Sequence, residues 1–251
     1  MMTRQPLELT PELILYAYSR GVFPMARSKT DAEVVWVDPI ERGIIPLNRF
    51  SPSRSLRRTL RKDVFRVTVD SAFEAVIDAC AELTPDNPTR NETWINPGIR
   101  DVFVELHRLG FAHSVECFQG DRLVGGLYGL AMGGAFFGES MFSRVTDASK
   151  VALCHLIARM IKGGFILLDT QFTTEHLISM GAREIPRASY HRLLDEALRL
   201  TEPVLPYFLT TGELLTLLSG PGTAAPGAGR NAPGAGRNAP GATRDAPGKP
   251  R

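Results

Sequence analysis

Glu139, Asp169 and Gln171 are the side chains of this 251-residue chain whose types and setting suggest chemistry. Glu139 follows the apolar, strand-like run Gly134-Ala135-Phe136-Phe137, and Asp169 follows Phe165-Ile166-Leu167-Leu168. Both acids therefore sit where buried strands are predicted to end. An acid there can simply cap a helix or face water. If the two strands are parallel neighbours, however, Glu139, Asp169 and Gln171 converge on the crevice beyond the strand ends, the usual ligand position in open α/β sheets. A carboxylate in such a crevice accepts a proton or holds an ammonium, and an amide orients what lies between.

Other familiar chemistries lack their residues. The sequence has no G-x-S-x-G elbow and no G-x-x-x-x-G-K-[ST] phosphate loop, which argues against a triad hydrolase and a P-loop nucleotidase. Cys80, Cys117 and Cys154 are far apart and read as core thiols. The histidines (His107, His113, His155, His176, His191) show no metal-ligand spacing, so neither a metal nor another cofactor is expected. An acetyl transferase would hold its coenzyme A pyrophosphate on bare amides after the fourth strand. Here that place is Ser143-Arg144-Val145-Thr146-Asp147, where the pyrophosphate would meet an acid.

The elements that must carry these residues are legible from periodicity. Thr10, Pro11 and Gly21 punctuate a first helix as N-cap, first helical residue and left-handed stop. Short β-rich runs follow at 34–37 and 44–45. Residues 65–69 alternate as a strand, 72–80 and 97–110 read as helices, and 112–118 with 121–130 as a hairpin, its second strand rich in glycine. A strand ending at Glu139, a long helix over 147–163 and a strand reaching Asp169 come next. A short helix (175–180), an edge strand (183–186) and a helix (189–199) close the pattern. The order predicts an α/β fold with a mixed sheet of acyltransferase type.

Composition points to an ordinary globular protein, 43% hydrophobic and 22% charged. No apolar run approaches the roughly twenty residues that span a bilayer, and no signal segment is visible, so a cytoplasmic protein is expected. The formal charge of +2 is uneven. The stretch 220–251, with Ala-Pro-Gly-Ala-Gly-Arg-Asn repeated at a period of seven, holds five cations and one acid and leaves the body at −2. That composition predicts a disordered tail. In the body, Arg54, Arg57, Arg58, Arg61 and Lys62 cluster on a helix whose other side carries Leu56 and Leu60. They form either a solvated face or a patch that tracks phosphates.

Five collinear pieces carry a resemblance: Tyr18-Ser19-Arg20-Gly21-Val22-Phe23-Pro24, Thr93-Trp94-Ile95, Leu123-Val124-Gly125-Gly126-Leu127-Tyr128-Gly129, Gly138-Glu139-Ser140-Met141-Phe142-Ser143 and Leu168-Asp169-Thr170-Gln171. Together they resemble the bacterial leucyl/phenylalanyl-tRNA–protein transferase family over roughly residues 13–207. The resemblance implies a small N-terminal domain (1–45), an acetyltransferase-like (GNAT-type) catalytic domain (46–212) and, here, the tail (213–251). It implies transfer of Leu or Phe, and less well Met, from aminoacyl-tRNA to proteins with N-terminal Arg or Lys, marking them for degradation. The enzyme would act as a monomer, away from membranes.

Carried over residue by residue, Asp169 and Gln171 match a relay to the attacking α-amine, and Glu139 an acid at the aminoacyl-adenosine site. Trp94 matches an aromatic beside the terminal adenosine. Leu127, Phe136 and Met141 match the apolar pocket, with Tyr18, Arg20, Phe23 and Ser143 as further substrate contacts, and the basic helix as the tRNA patch. Asp169 as proton acceptor and Asp169 as ammonium holder both remain open on this reading. Met25 departs from the family, whose members often carry an aromatic residue there. Transfer from a different acyl carrier, or a non-catalytic RNA-binding module, are the competing readings.

Overall fold

The computed structural model describes residues 8–82 and 93–219. The predicted loop at 84–91 and the repeat at 220–251 lie outside the described residues. The chain runs α1 (Pro11–Ser19), β1 (Phe23–Ala26), β2 (Val34–Val37), β3 (Glu41–Ile45), α2 (Arg54–Lys62), β4 (Arg66–Val69), α3 (Phe73–Ala81) and α4 (Pro97–Arg108). It continues through β5 (Ala112–Gln119), β6 (Arg122–Met132), β7 (Ala135–Ser143), α5 (Ala148–Lys162) and β8 (Leu167–Gln171). Then come α6 (Glu175–Ser179), β9 (Arg183–Pro186), α7 (Arg187–Leu198) and α8 (Thr211–Leu217).

Seven strands form one mixed sheet in the order β4-β5-β6-β7-β8-β3-β9, and β1 pairs with β2 apart from it. Only β7 and β8 pair in parallel, as α5 carrying the chain from one to the other requires. Apolar side chains alternate along the strands into two cores. Tyr128, Phe137 and Leu167 face α1, α3, α4 and α7. Leu127, Phe136 and Leu168 face α2, α5 and α8. Because α5 lies against the sheet on one side and α2 and α8 on the other, it is buried nearly all round, Val151 to Met160 included.

Among the boundaries that differ from the sequence-based expectation, three bear on the site and the domain limits. β7 does not stop at Glu139 but pairs with β6 as far as Ser143, so the acid lies inside the strand. β8 likewise runs past Asp169 to Gln171. The expected start of the tail at 213 falls within α8, where the Thr210–Glu213 capping box opens a helix that buries Leu214. β3, at the end of the predicted N-terminal segment, enters the main sheet between β8 and β9.

Candidate active site

The site arises where the sheet is interrupted. β7 and β8 pair only from Ala135↔Leu167 to Phe137↔Asp169, and beyond that rung they part. On the other side of β7, Gly138 pairs with Gly129 and Ser140 with Tyr128, which leaves Glu139 as the extra residue of a bulge. β8 has the same device: Asp169 pairs with Ile44 and Gln171 with Gly43, so Thr170 is left over. Bulges re-aim side chains and recur beside active sites. Here they turn Glu139 and Thr170 toward the gap between the strands. Gln171 completes the turn with a left-handed φ of 55°, a conformation that costs a non-glycine residue free energy.

Gly129 permits this geometry, since a Cβ there would collide with the Phe137 carbonyl and the Phe136 ring. The glycines of β6 thus serve close packing, within the sheet at Gly126 and Gly129 and against the start of α5 at Gly125. At Gly43 the same test meets the Phe172 backbone, so the chain leaving β8 folds tightly over β3.

Asp169 is fully shielded and both its oxygens are taken. Oδ1 accepts from Arg42 Nε at 2.9 Å and from the Gln171 backbone N–H at 2.8 Å. Oδ2 accepts from Arg42 Nη2 and from the Tyr190 hydroxyl, each at 2.7 Å. Arg42 is 1% exposed, lies between the Phe23 and Tyr190 rings at 4.6 and 4.5 Å, and donates from Nη1 to the Gly21 carbonyl. Burial works to lower the Arg42 pKa, but the charge and hydrogen bonds of Asp169 outweigh it and the net shift is upward. This bidentate pair holds β3, β8, α7 and the β1 entrance together.

Glu139 is built differently. Its Oε1 accepts from the Tyr18 hydroxyl at 2.8 Å and from Gln171 Nε2 at 3.2 Å, and among the described residues no guanidinium or ammonium pairs with it. Burial raises its pKa to about 8, against the lowering effect of the Tyr18 hydrogen bond and with a further upward contribution from Asp169. The carboxyl is therefore mostly neutral at pH 7. Tyr18 is pushed well above its usual value by the same burial and the neighbouring acid.

Beside Glu139 opens a cavity of about 440 Å³, within the size range of small-ligand pockets. Trp94, Leu127, Met141, Phe23, Glu139 and Gln171 line it. Trp94 is held by its neighbours: its carbonyl accepts from the Ala26 N–H in β1, and Asn96 both caps α4 and donates to the Asp31 carbonyl. Leu153 and Leu156 of α5, Leu168 of β8 and Leu177 of α6 form the apolar depth. Thr170 Oγ1 and His176 Nε2, buried polar atoms without a partner, also belong to lining residues.

Several expected contacts lie elsewhere. Phe136, paired with Ala131 and Leu168, is fully buried in the core with its ring against Gly129. Tyr18 is also fully buried and reaches the cavity only through Glu139. Arg20 is exposed at the C-cap of α1, and the Ser143 hydroxyl is spent on the turn into α5, donating to the Val145 carbonyl and accepting from Ser149 N–H. Asp169 does not line the cavity, and Gln171 is joined to it by backbone, so its side chain relays to Glu139 instead.

On α2, Arg54, Arg58, Arg61 and Lys62 are exposed. Arg57 is not free: it donates to the Pro52 and Leu218 carbonyls and the Ser51 hydroxyl, fastening α2 to the end of α8. Arg42 and Tyr190 were missed by sequence reasoning. The one available signal is an arginine within a short strand, followed directly by Gly43-Ile44-Ile45. Among the described residues no His, Cys, Asp or Glu cluster suited to a metal is present, and the three cysteines are buried.

Comparison with known proteins gives a consistent result. The family model described as leucyl/phenylalanyl-tRNA protein transferase matches residues 44–195, and its N-terminal domain model matches residues 8–40. Among curated relatives, a leucyl/phenylalanyl-tRNA–protein transferase of Rhodospirillum rubrum is 59% identical over 77% of this chain and 90% of its own length. Those of Phenylobacterium zucineum (62% identical, 74% of this chain, 82% of the relative) and Paramagnetospirillum magneticum (61%, 77% and 91%) are similar to it to the same degree.

Proposed function

The chain belongs to the leucyl/phenylalanyl-tRNA–protein transferase family, and from that premise we propose the following reaction. It moves Leu or Phe, and Met less well, from aminoacyl-tRNA to the α-amine of proteins that begin with Arg or Lys, marking them for degradation. The observation that carries this reading is a cavity with an apolar depth and a polar edge at the split between β7 and β8. Leu127, Met141, Leu153 and Leu156 offer the transferred side chain a surface that measures size alone, so Leu and Phe are favoured over polar residues strongly and over Met weakly. Trp94 and Phe23 at the wall suit the terminal adenosine and its ester.

The chemistry needs little beyond placement. The ester is already activated, and an α-amine, with a pKa near 8, is partly neutral at cellular pH. Gln171 and Glu139 sit at the edge where the amine must approach the carbonyl, and holding the two reactants in line is a large part of the rate gain. Asp169 with Arg42 serves as the fixed support of that edge. The exposed cations Arg54, Arg58, Arg61 and Lys62 track the tRNA backbone, supplying affinity without reading sequence. A monomer working in the cytoplasm fits; among the described residues no helix is long and apolar enough to cross a membrane.

We assign the unit built on the main sheet, from β3 through α8, to an acetyltransferase-like (GNAT-type) fold, with the small N-terminal domain ahead of β3, on the splayed parallel pair that α5 joins. Coenzyme A as the carrier is disfavoured by Asp147, which caps α5 with φ 67° and offers its carboxylate to Thr59 and Lys150 where a pyrophosphate would lie. The test combines purified protein, labelled Phe-tRNA or Leu-tRNA and a peptide starting with Arg. Label should enter that peptide and not one starting with Glu. No incorporation, or equal incorporation into both, overturns the reading.

A further inference from the structure

Resting on the transfer reaction just described, we propose that Glu139, not Asp169, is the catalytic proton carrier, with Tyr18 and Gln171 as its positioning residues. Among the described residues the geometry leaves one carboxylate able to do this. Asp169 has four donors on two oxygens, no exposure and no place in the cavity wall, so a substrate nitrogen cannot reach it. Glu139 lines the cavity and spends only Oε1 on protein, on Tyr18 OH and Gln171 Nε2. Oε2 accepts no protein hydrogen bond among the described residues. Two donors on one oxygen fix the carboxylate plane and present the other oxygen to the cavity.

The machinery behind Glu139 acts to keep it there. The bulge in the β6–β7 ladder frees its backbone from pairing and turns the side chain into the gap. Asp169 accepts the Gln171 N–H and so stabilises the left-handed residue whose amide side chain meets Glu139. Arg42 in turn fixes Asp169. The charged and titratable groups around Glu139 are Tyr18 on α1, Arg42 on β3, Asp169 on β8 and, on the cavity wall, Tyr128 on β6 and His176 on α6.

In the reaction, the neutral α-amine attacks the ester carbonyl, forming the C–N bond. One N–H proton passes to Oε2 of Glu139 in its ionised form, which grows as pH rises toward 8. As the bond from carbonyl carbon to ribose oxygen breaks, Glu139 returns that proton to the departing oxygen. The products are an amide and a free hydroxyl, with Glu139 restored and no other reactant consumed. A group whose pKa lies near the working pH suits both halves of such a shuttle, and burial brings this carboxyl to about 8.

The experiment measures transfer from Phe-tRNA to an Arg-initiated peptide at saturating concentrations, as a function of pH. Wild-type turnover must be present first; its absence would overturn the transfer reading itself and not only the shuttle. Glu139→Gln keeps both hydrogen bonds to its oxygen and should lower kcat about 100-fold or more, with KM for both substrates within about three-fold. Activity within three-fold of wild type, or a loss confined to KM, overturns the proposal. The second arm is independent of that variant. Tyr18→Phe removes a hydrogen bond that favours ionised Glu139, so the rising limb of kcat against pH should move to higher pH. A limb that stays in place belongs to the substrate amine and also overturns the shuttle.

Discussion

Glu116 on β5 and Glu139 on β7 are two glutamates of one sheet in opposite situations. Glu116 is paired on both sides, with Thr68 of β4 and Gly126 of β6, and is fully shielded, its carboxylate accepting from the hydroxyls of Ser114, Thr68 and Ser71. Glu139 is paired on neither side, being the extra residue of one ladder and lying past the last rung of the other. Burial alone therefore does not make an acid available for chemistry. What separates the two is whether the strands around them are continuous, since only a gap in the ladders gives a ligand room beside the carboxyl.

The sharpest way to break this comparison is to damage the support of the gap. Asp169→Asn would leave Arg42 charged, 1% exposed and without its counter-ion, a change that costs about 3–5 kcal/mol. Urea unfolding should show that loss. Adding Arg42→Met to it should recover part of the stability, because the uncompensated charge disappears, and a double-mutant cycle measures the coupling. An additive cycle would mean that the pair does not hold the split together.

Stability against pH tests the open acid without any substrate. The folded-state pKa of Glu139, about 8, lies above the unfolded value of about 4.3. Between those values the unfolded chain releases this proton while the folded one keeps it, so wild-type stability falls as pH rises through that window. Glu139→Gln cannot ionise. Its melting temperature should match wild type near pH 4 and exceed it increasingly up to pH 8, by several degrees. A constant difference across pH would place the carboxyl in an ordinary, water-like setting.

The closed acid should give a smaller and purely structural response. Glu116→Gln swaps an acceptor oxygen for an NH2 group, which the surrounding hydroxyls can meet by rotating, at a cost of about 1–2 kcal/mol. Transfer activity of the folded variant should be unchanged. If activity fell like that of Glu139→Gln, ladder continuity would not be the property that distinguishes them.

How far the sequence reveals this site follows the same division. Periodicity and punctuation locate the strands, the long α5 and the basic α2, but of the two acids Glu139 alone reaches the cavity wall, while Asp169 is spent on Arg42, Tyr190 and the Gln171 backbone. The bulges are invisible to one strand read alone, because Glu139 and Thr170 are extra residues only relative to Gly129 and Gly43 on their neighbours. Arg42 is hidden for a related reason: it meets an acid 127 positions away. Phe136 reads as pocket because it stands in the right stretch, whereas the rung assigns it to the core.

The basic helix allows the comparison of committed and free groups to be repeated with cations. Arg57 is bound to carbonyls of residues 52 and 218, whereas Arg58 and Arg61 are exposed one turn apart. Neutralising an exposed cation that touches a phosphate lowers the slope of log affinity against log salt by up to about one unit per contact. Arg58→Ala with Arg61→Ala should therefore flatten the salt dependence of tRNA binding by up to about two units, leaving the melting temperature in place. Arg57→Ala should do the reverse, costing about 1–2 kcal/mol of stability as α8 loosens, with the salt slope unchanged. Equal slopes for wild type and both variants would return α2 to a solvated face, and the tRNA would then have to reach the cavity along another surface.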